Sequence, residues 1–161
     1  TGRRGRIERA DVARRTDARP ATGEAFLELT DISGTNLINV RDRDYDASLL
    51  AWWGLGDLRD KLPPIKRSTD CCGYITDDVA QLTGLCAGTP VSGGVFDISA
   101  SSVASGINTL DKLAIITGTW SINEYVTDHP VIDRDLFMTS IYPIEGKWLI
   151  TEDSHTCASN L

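Results

Sequence analysis

The sequence contains no run of about eighteen consecutive apolar residues, so it predicts no membrane-spanning helix and no membrane partner. Its net charge of −7 argues against a nucleic acid as the main partner, because the phosphate backbone is also negative. Hydrophobic residues make up 41% of the 161 residues and are spread along the chain. This distribution excludes a fibrous repeat, a coiled coil and a largely disordered protein.

The common signatures of catalysis and metal binding are also missing. The sequence has no Walker A loop, no GxGxxG fingerprint, no GxSxG elbow and no HExxH zinc motif. Its four cysteines, at positions 71, 72, 86 and 157, match the spacing of no zinc module. We therefore predict no metal-ligating residues, and we expect reduced, mostly buried thiols in a cytoplasmic protein.

Positive charge is concentrated at the start of the chain. Residues 1–20 contain seven arginines and three acidic residues, whereas the remaining residues contain 9 basic and 20 acidic ones. An arm that grips RNA or DNA is one interpretation. A solvated helix and a segment foreign to the fold, such as a misread frame, are the others, and the lack of interleaved aromatic residues favours them. We therefore treat residues 1–21 as an atypical Arg-rich segment.

Alternating helix and strand patterns predict an α/β fold. Asp46 is predicted to cap a helix that stops at Gly54, and Thr76 a helix that stops at Gly84. Strands are predicted at 72–75, 89–96, 113–117, 136–142 and 147–151.

Two of the predicted helices carry informative side chains. The adjacent Trp52 and Trp53 favour a packed core helix over a platform for stacking a sugar. A third helix, at 98–107, is rich in serine and alanine, with Val103 and Ile107 four residues apart. This composition predicts a helix that packs closely against its neighbours.

Two local motifs could carry chemistry. The first, SGGVFD at 92–97, is a strand that ends in glycines and presents Asp97 at the start of a helix. That carboxylate can cap the helix, which is the favoured reading of the motif alone, or act as a general base on a substrate hydroxyl. The second, IITGTWS at 115–121, is an apolar strand that enters a turn. Such a turn either is a plain reversal or directs N–H groups at a phosphate.

The order and spacing of these motifs resemble those of the FGGY carbohydrate kinases. The run LTGLCAGTPVSGGVFD at 82–97 is followed by a small-residue helix and then by GTWS at 118–121. TGE at 22–24 and TDISGTNL at 30–37 resemble the same family's mid-chain segment. KWLITE at 147–152 and the closing ASNL continue the resemblance, which is strongest for the L-xylulose and 3-keto-L-gulonate kinase branch.

The resemblance implies a partial ribonuclease-H-like (actin-like ATPase) fold that spans the junction of two lobes. Residues 22–108 would form the C-terminal part of the first lobe, and residues 109–161 the start of the second. We therefore expect the chain to be an internal fragment of a longer kinase, and a homodimer is compatible with this reading.

The resemblance also implies an activity and a site. The enzyme would transfer phosphate from ATP, with Mg²⁺, to a hydroxyl of a small-molecule sugar such as xylulose or a related keto sugar acid. Asp97 takes the place of the catalytic base, and Asp97 and Phe96 would bind the sugar. Gly118 and Thr119 match the turn that holds the ATP phosphates.

Some features depart from the family pattern. Ile98 follows Asp97 where many members have Gln or Asn, so a hydrogen bond to the sugar is lost. The first lobe's Asp-Gly phosphate loop and the late glycines that hold adenosine are absent, so we expect the chain alone to be inactive. The competing hypothesis is a non-catalytic actin-like module that binds a ligand or partner.

Overall fold

Residues 19–118 and 120–154 are described by a computed structural model of the chain. Among them, helices α1–α5 are Arg19–Thr22, Leu29–Ile32, Ala47–Trp52, Asp77–Thr83 and Asp97–Ala104. Strands β1–β10 are Leu27–Glu28, Ile38–Asn39, Asp44–Tyr45, Ile65–Lys66, Cys71–Tyr74, Pro90–Ser92, Leu113–Thr117, Ser121–Thr127, Met138–Ile141 and Trp148–Ser154. No helix in this part of the chain is long and apolar enough to cross a bilayer. Most of the Arg-rich segment, Thr119 and Cys157 lie outside the described residues.

The described residues divide into two compact units, the first of which contains residues 19–29 and Tyr45–Gly94. In this unit, β1 pairs with β4 in parallel, and β5 pairs with β6 in the antiparallel sense. Helix α3 begins as predicted, because the Asp46 carboxylate accepts hydrogen bonds from the N–H groups of Ser48 and Leu49 at 2.8 and 3.0 Å.

Helix α4 also has the predicted ends. The Thr76 hydroxyl accepts a hydrogen bond from the Val79 N–H, which satisfies a donor that the first turn leaves free. Gly84 ends the helix in the left-handed conformation, with φ of +78°. The two acidic residues of the first turn, Asp77 and Asp78, are exposed, as expected for a solvated helix end.

Trp52 and Trp53 are not core residues, so that prediction is wrong. Their side chains are 75% and 52% exposed, whereas Leu50 is buried. Helix α3 has six residues, fewer than two turns, so only part of its apolar run faces inward. The two indole rings instead lie beside each other, with centroids 5.1 Å apart.

Among the described residues, the second unit contains Thr30–Asp44, 95–118 and 120–154. Its four-stranded sheet has the order β7-β8-β10-β9, and every neighbouring pair is antiparallel. The sequence predicts β7, β9 and β10 but not β8, which pairs with both β7 and β10. The core cluster on this sheet consists of the buried residues Ile107, Val126, Tyr142 and Leu149.

Helix α5 packs closely, as its composition predicts, but through serine rather than through aliphatic residues. Ser99 and Ser102 are buried, whereas Val103 is exposed. Ile107 lies beyond the end of the helix, and its side chain joins the core cluster there. The fully buried side chains of α5 are therefore polar, and Ile98 is partly buried beside them.

The prediction of mostly buried thiols is wrong for two of the described cysteines. Cys71 and Cys86 are exposed, whereas Cys72 is buried, and all three are free thiols. Cys71 is the first residue of a short strand, and Cys86 lies in the loop before β6, so neither side chain reaches a core. Burial raises the pKa of the Cys72 thiol.

Candidate active site

Asp97 is the first residue of α5, and its side chain is exposed. One carboxylate oxygen, Oδ1, accepts a hydrogen bond from the N–H of the next residue, Ile98, at 2.8 Å. The capping position itself is occupied by Phe96, whose side chain makes no capping hydrogen bond. Asp97 is therefore not the N-cap that the motif alone favours. Its carboxylate faces solvent at the positive end of the helix dipole, which favours a negative charge.

The backbone immediately before Asp97 is anchored by a buried threonine. The Phe96 N–H donates to the Thr30 hydroxyl at 2.9 Å. Ser33 in turn donates from its hydroxyl to the Thr30 carbonyl at 2.7 Å and accepts from the Ile141 N–H at 3.0 Å. Sequence reasoning assigned Thr30 only to a family-like segment, because a contact across 66 residues leaves no local signal.

The two glycines of the SGGVFD motif have different physical roles. A Cβ on Gly93 would lie 2.5 Å from the Arg67 carbonyl oxygen, closer than atoms approach in proteins. The Gly93 N–H also donates to the Ser68 carbonyl at 3.2 Å. Gly94 adopts φ of +81°, where a residue with a side chain is strained. The pair lets the chain pass close to the Arg67 backbone and then turn toward Phe96.

Gly118 lies at the turn of the hairpin that joins β7 to β8. Thr117 and Ser121 are the last paired residues, so the turn holds three residues. The Gly118 N–H donates to the Trp120 carbonyl at 2.9 Å, and a Cβ on Gly118 would meet only that oxygen, at 3.7 Å. The turn therefore uses the Gly118 N–H to close itself, and, chain neighbours aside, no other atom of the described residues lies within 4 Å of the position of an added Cβ. Thr119, the other predicted phosphate ligand, lies outside them.

A buried contact that the sequence analysis missed joins α5 to β8. The Ser102 hydroxyl donates to the Glu124 carboxylate, and both side chains are fully buried. Burial raises the pKa of Glu124, an effect that the Ser102 hydrogen bond only partly offsets. The nearby Tyr142 hydroxyl donates to the Ile107 carbonyl at 2.6 Å. Burial and the charge of Glu124 raise the pKa of Tyr142 to about 12.

Comparison with known sequences identifies relatives of the chain. It is 39% identical over 141 residues to a protein of Pasteurella multocida named "Probable L-xylulose kinase". It is 35% identical over 147 residues to the L-xylulose/3-keto-L-gulonate kinase of Escherichia coli. Each match covers 87% of this chain but only 29% and 28% of the relative, so the chain spans less than a third of these proteins.

Solved structures of sugar kinases share the fold. The xylulose kinase of Rhodospirillum rubrum superposes with a TM-score of 0.78 at 23% identity, over 88% of this chain and 28% of that one. The gluconate kinase of Lactobacillus acidophilus superposes with a TM-score of 0.79 at 20% identity, with the same coverage. These similarities confirm the predicted actin-like α/β fold. Because residues 20–104 also match the N-terminal domain of the FGGY family of carbohydrate kinases, the chain belongs to that family.

Proposed function

We propose that this chain is part of an ATP-dependent kinase that phosphorylates a hydroxyl of a ketose, a pentulose such as xylulose or a related keto sugar acid. The observation that carries the proposal is the exposed carboxylate of Asp97 on a helix whose start is anchored by buried hydrogen bonds. The L-xylulose kinase names of the relatives support the choice of sugar class. In this proposal residues 22–108 belong to the first lobe and residues 109–161 to the second.

Asp97 is the proposed general base. Its carboxylate accepts the proton of the sugar hydroxyl as that oxygen forms a bond to the γ-phosphorus, while the bond from that phosphorus to the leaving ADP oxygen breaks. The proton ends on Asp97, and the negative charge ends on ADP. Phe96 directly precedes the base and is half-buried, and we assign its ring the contact to the apolar face of a bound sugar.

Gly118 and Thr119 are the proposed contacts to the ATP phosphates. The Gly118 N–H already donates to the Trp120 carbonyl, so we assign Gly118 the role of leaving space for a phosphate. We assign the hydrogen bonds to that phosphate to Thr119. The described residues contain no group of three His, Cys, Asp or Glu side chains that could hold a metal. In this proposal Mg²⁺ would arrive with the nucleotide and would neutralise phosphate charge.

The function is tested by an ADP-release assay on the full-length protein with L-xylulose, D-xylulose and 3-keto-L-gulonate. We expect turnover of at least one ketose by the full-length protein and none by the 161-residue chain alone. Absence of ADP release with all three sugars would contradict the proposed activity. Size-exclusion chromatography of the same sample tests the homodimer, and fractionation of cells tests the cytoplasmic location.

The Gly118→Ala variant is expected to keep its stability and lose activity. The added Cβ meets only the Trp120 carbonyl, at 3.7 Å, but it fills the space assigned to a phosphate. A displacement of the reacting groups by about 1 Å costs on the order of 10²-fold in rate, so kcat/KM for ATP should fall by about that factor. Steady-state kinetics with varied ATP measures the loss, and urea unfolding measures the stability.

The matched control for that substitution is Gly56→Ala. A Cβ on Gly56 also makes only ordinary contacts, at 3.8 Å to Ala51, but Gly56 lies in the first unit and outside both motifs. We expect wild-type kinetics from this control. Equal kcat/KM for ATP in the two variants would argue against a phosphate beside Gly118.

A second candidate function is a module that binds a ligand or partner without catalysis. The observation in its favour is Ile98, which packs against the core cluster of the second unit and offers no hydrogen bond to a sugar. A full-length protein that is stabilised thermally by a ketose but releases no ADP would favour this function.

A further inference from the structure

The inner face of the sheet in the second unit carries a buried layer of polar side chains. Glu124 on β8 lies directly opposite Thr151 on β10. Ser140 on β9 lies opposite Leu149, two residues before Thr151, and so is on the same face of the sheet. From the covering helix, α5, Ser99 and Ser102 are buried as well. We call these five side chains the polar layer.

The polar layer is incompletely hydrogen-bonded. Ser102 bonds Oε2 of Glu124, but Glu124 Oε1 and the hydroxyls of Ser99, Ser140 and Thr151 have no hydrogen-bond partner among the described residues. A buried carboxylate without full hydrogen bonding is costly, whereas a neutral carboxyl can donate a hydrogen bond to a hydroxyl acceptor. Protonation of Glu124 would remove the buried charge; the three unbonded hydroxyls belong to the same layer, and none of them is hydrogen-bonded to Oε1.

Among the residues that the structure describes, no cation faces Glu124 from the elements packed against it. Its register partners are Ala114 on β7 and Thr151 on β10, and α5 presents serine. Lys112, just before β7, is exposed, and its amine donates to the Gly106 carbonyl at 2.7 Å. With no compensating positive charge, the environment favours the neutral carboxyl.

Two other titratable groups share this region. Tyr142 lies beside the layer, and the charge of Glu124 contributes to the raised pKa of its phenol. Asp153 is on the same face of β10 as Thr151, two residues later, and it lies opposite Ile122 near the start of β8. Neither of these two groups supplies a positive charge to Glu124.

We propose that Glu124 is a positioning residue, which fixes α5, and with it Asp97, against the strand that follows the Gly118 turn. Ser102 lies five residues after Asp97 along α5, about 7.5 Å. Glu124 lies six residues after Gly118, three residues into β8 from Ser121. The Ser102–Glu124 contact thus joins the helix that carries the base to the hairpin that carries the phosphate turn. The catalytic part of this inference rests on the proposed function.

The kinetic test compares Glu124→Gln, Glu124→Ala and the control Glu152→Gln in the full-length protein. The glutamine side chain keeps the size of the carboxyl, and its oxygen still accepts from Ser102, so we expect kcat within about twofold of wild type. Alanine removes the contact with Ser102 that holds α5 against β8. We therefore expect kcat to fall by about 10-fold or more, with the KM for sugar changed less than about twofold. Glu152 is on the opposite face of β10, and its variant should match wild type.

The stability test uses urea unfolding from pH 4 to pH 8. The pKa of Glu124 is higher in the folded state than in the unfolded state. The protonated side chain therefore makes its full contribution to the free energy of unfolding at a pH below the unfolded pKa. This contribution is lost as the pH rises from the unfolded pKa through the folded pKa. Wild type and Glu152→Gln should show this fall, and Glu124→Gln should lack it.

The outcomes separate the inference from the proposed function. A wild-type kcat in folded Glu124→Ala, or equal losses of kcat in the Gln and Ala variants, overturns the positioning role. If Glu124→Ala does not fold, Ser102→Ala decides by the same kinetic criterion, because it removes only the donor. Identical pH profiles of stability for wild type and Glu124→Gln would contradict the inference that the Glu124 carboxyl is neutral. A full-length wild type without kinase activity overturns the proposed function and the catalytic role, and the pH profile alone then decides whether Glu124 is neutral.

Discussion

Replacing Asp97 by asparagine is expected to lower kcat for sugar phosphorylation by about 10²–10⁴-fold, the usual contribution of a general base. The amide has the size of the carboxylate, and its oxygen still accepts the hydrogen bond from the Ile98 N–H, so α5 should form as before. What the variant lacks is a group that takes up the proton of the attacking hydroxyl. ADP release under saturating sugar and ATP measures the loss.

The control for this substitution is Asp77→Asn. Asp77 is also the first residue of a helix, α4, and is also exposed, so it shares the local setting of Asp97 without the neighbouring glycine pair. Its variant should retain wild-type turnover. Near-normal turnover in Asp97→Asn would show that another group accepts the proton.

The Gly93→Ala variant should be strongly destabilised. The new Cβ would lie 2.5 Å from the Arg67 carbonyl oxygen and 3.4 Å from the Cys72 sulfur, so the backbone must move. Forcing an extra methyl group into a packed site costs about 1–3 kcal/mol, and here the obstacle is backbone rather than a flexible side chain. Urea unfolding should show a lower midpoint with an unchanged m value.

Gly118→Ala serves as the comparison for Gly93→Ala, since its Cβ meets only the Trp120 carbonyl, at 3.7 Å. The two variants should show opposite behaviour, with Gly93→Ala losing stability and Gly118→Ala losing activity. A Gly93→Ala protein as stable as wild type would mean that the strand does not pass so near Arg67.

Local signals in the sequence were sufficient to predict where α3 begins and where α4 begins and ends. Asp46, Thr76 and Gly84 each act within three or four residues, so capping preferences identify them without knowledge of the fold. The motif at 92–97 was located for the same reason, since paired glycines followed by an acid are visible in sequence.

Strand β8 could not be predicted because its buried face is not apolar. Glu124 occupies an inward position between Ile122 and Val126, so the pattern of alternating hydrophobicity is broken at its centre. The partner that makes this burial possible, Ser102, comes from a helix 22 residues earlier. The same long-range pairing explains why the polar face of α5 was missed.

The hydrogen bonds around Thr30 also bear on the order in which the chain folds. Thr30 bonds Phe96 across 66 residues, Ser33 bonds Ile141 across 108, and the Trp148 indole N–H donates to the Val40 carbonyl across 108. Contacts this distant require long loops to close, which slows folding. We therefore expect the backbone that presents Asp97 to be completed late in folding, after local structure such as α3 and α4 has formed.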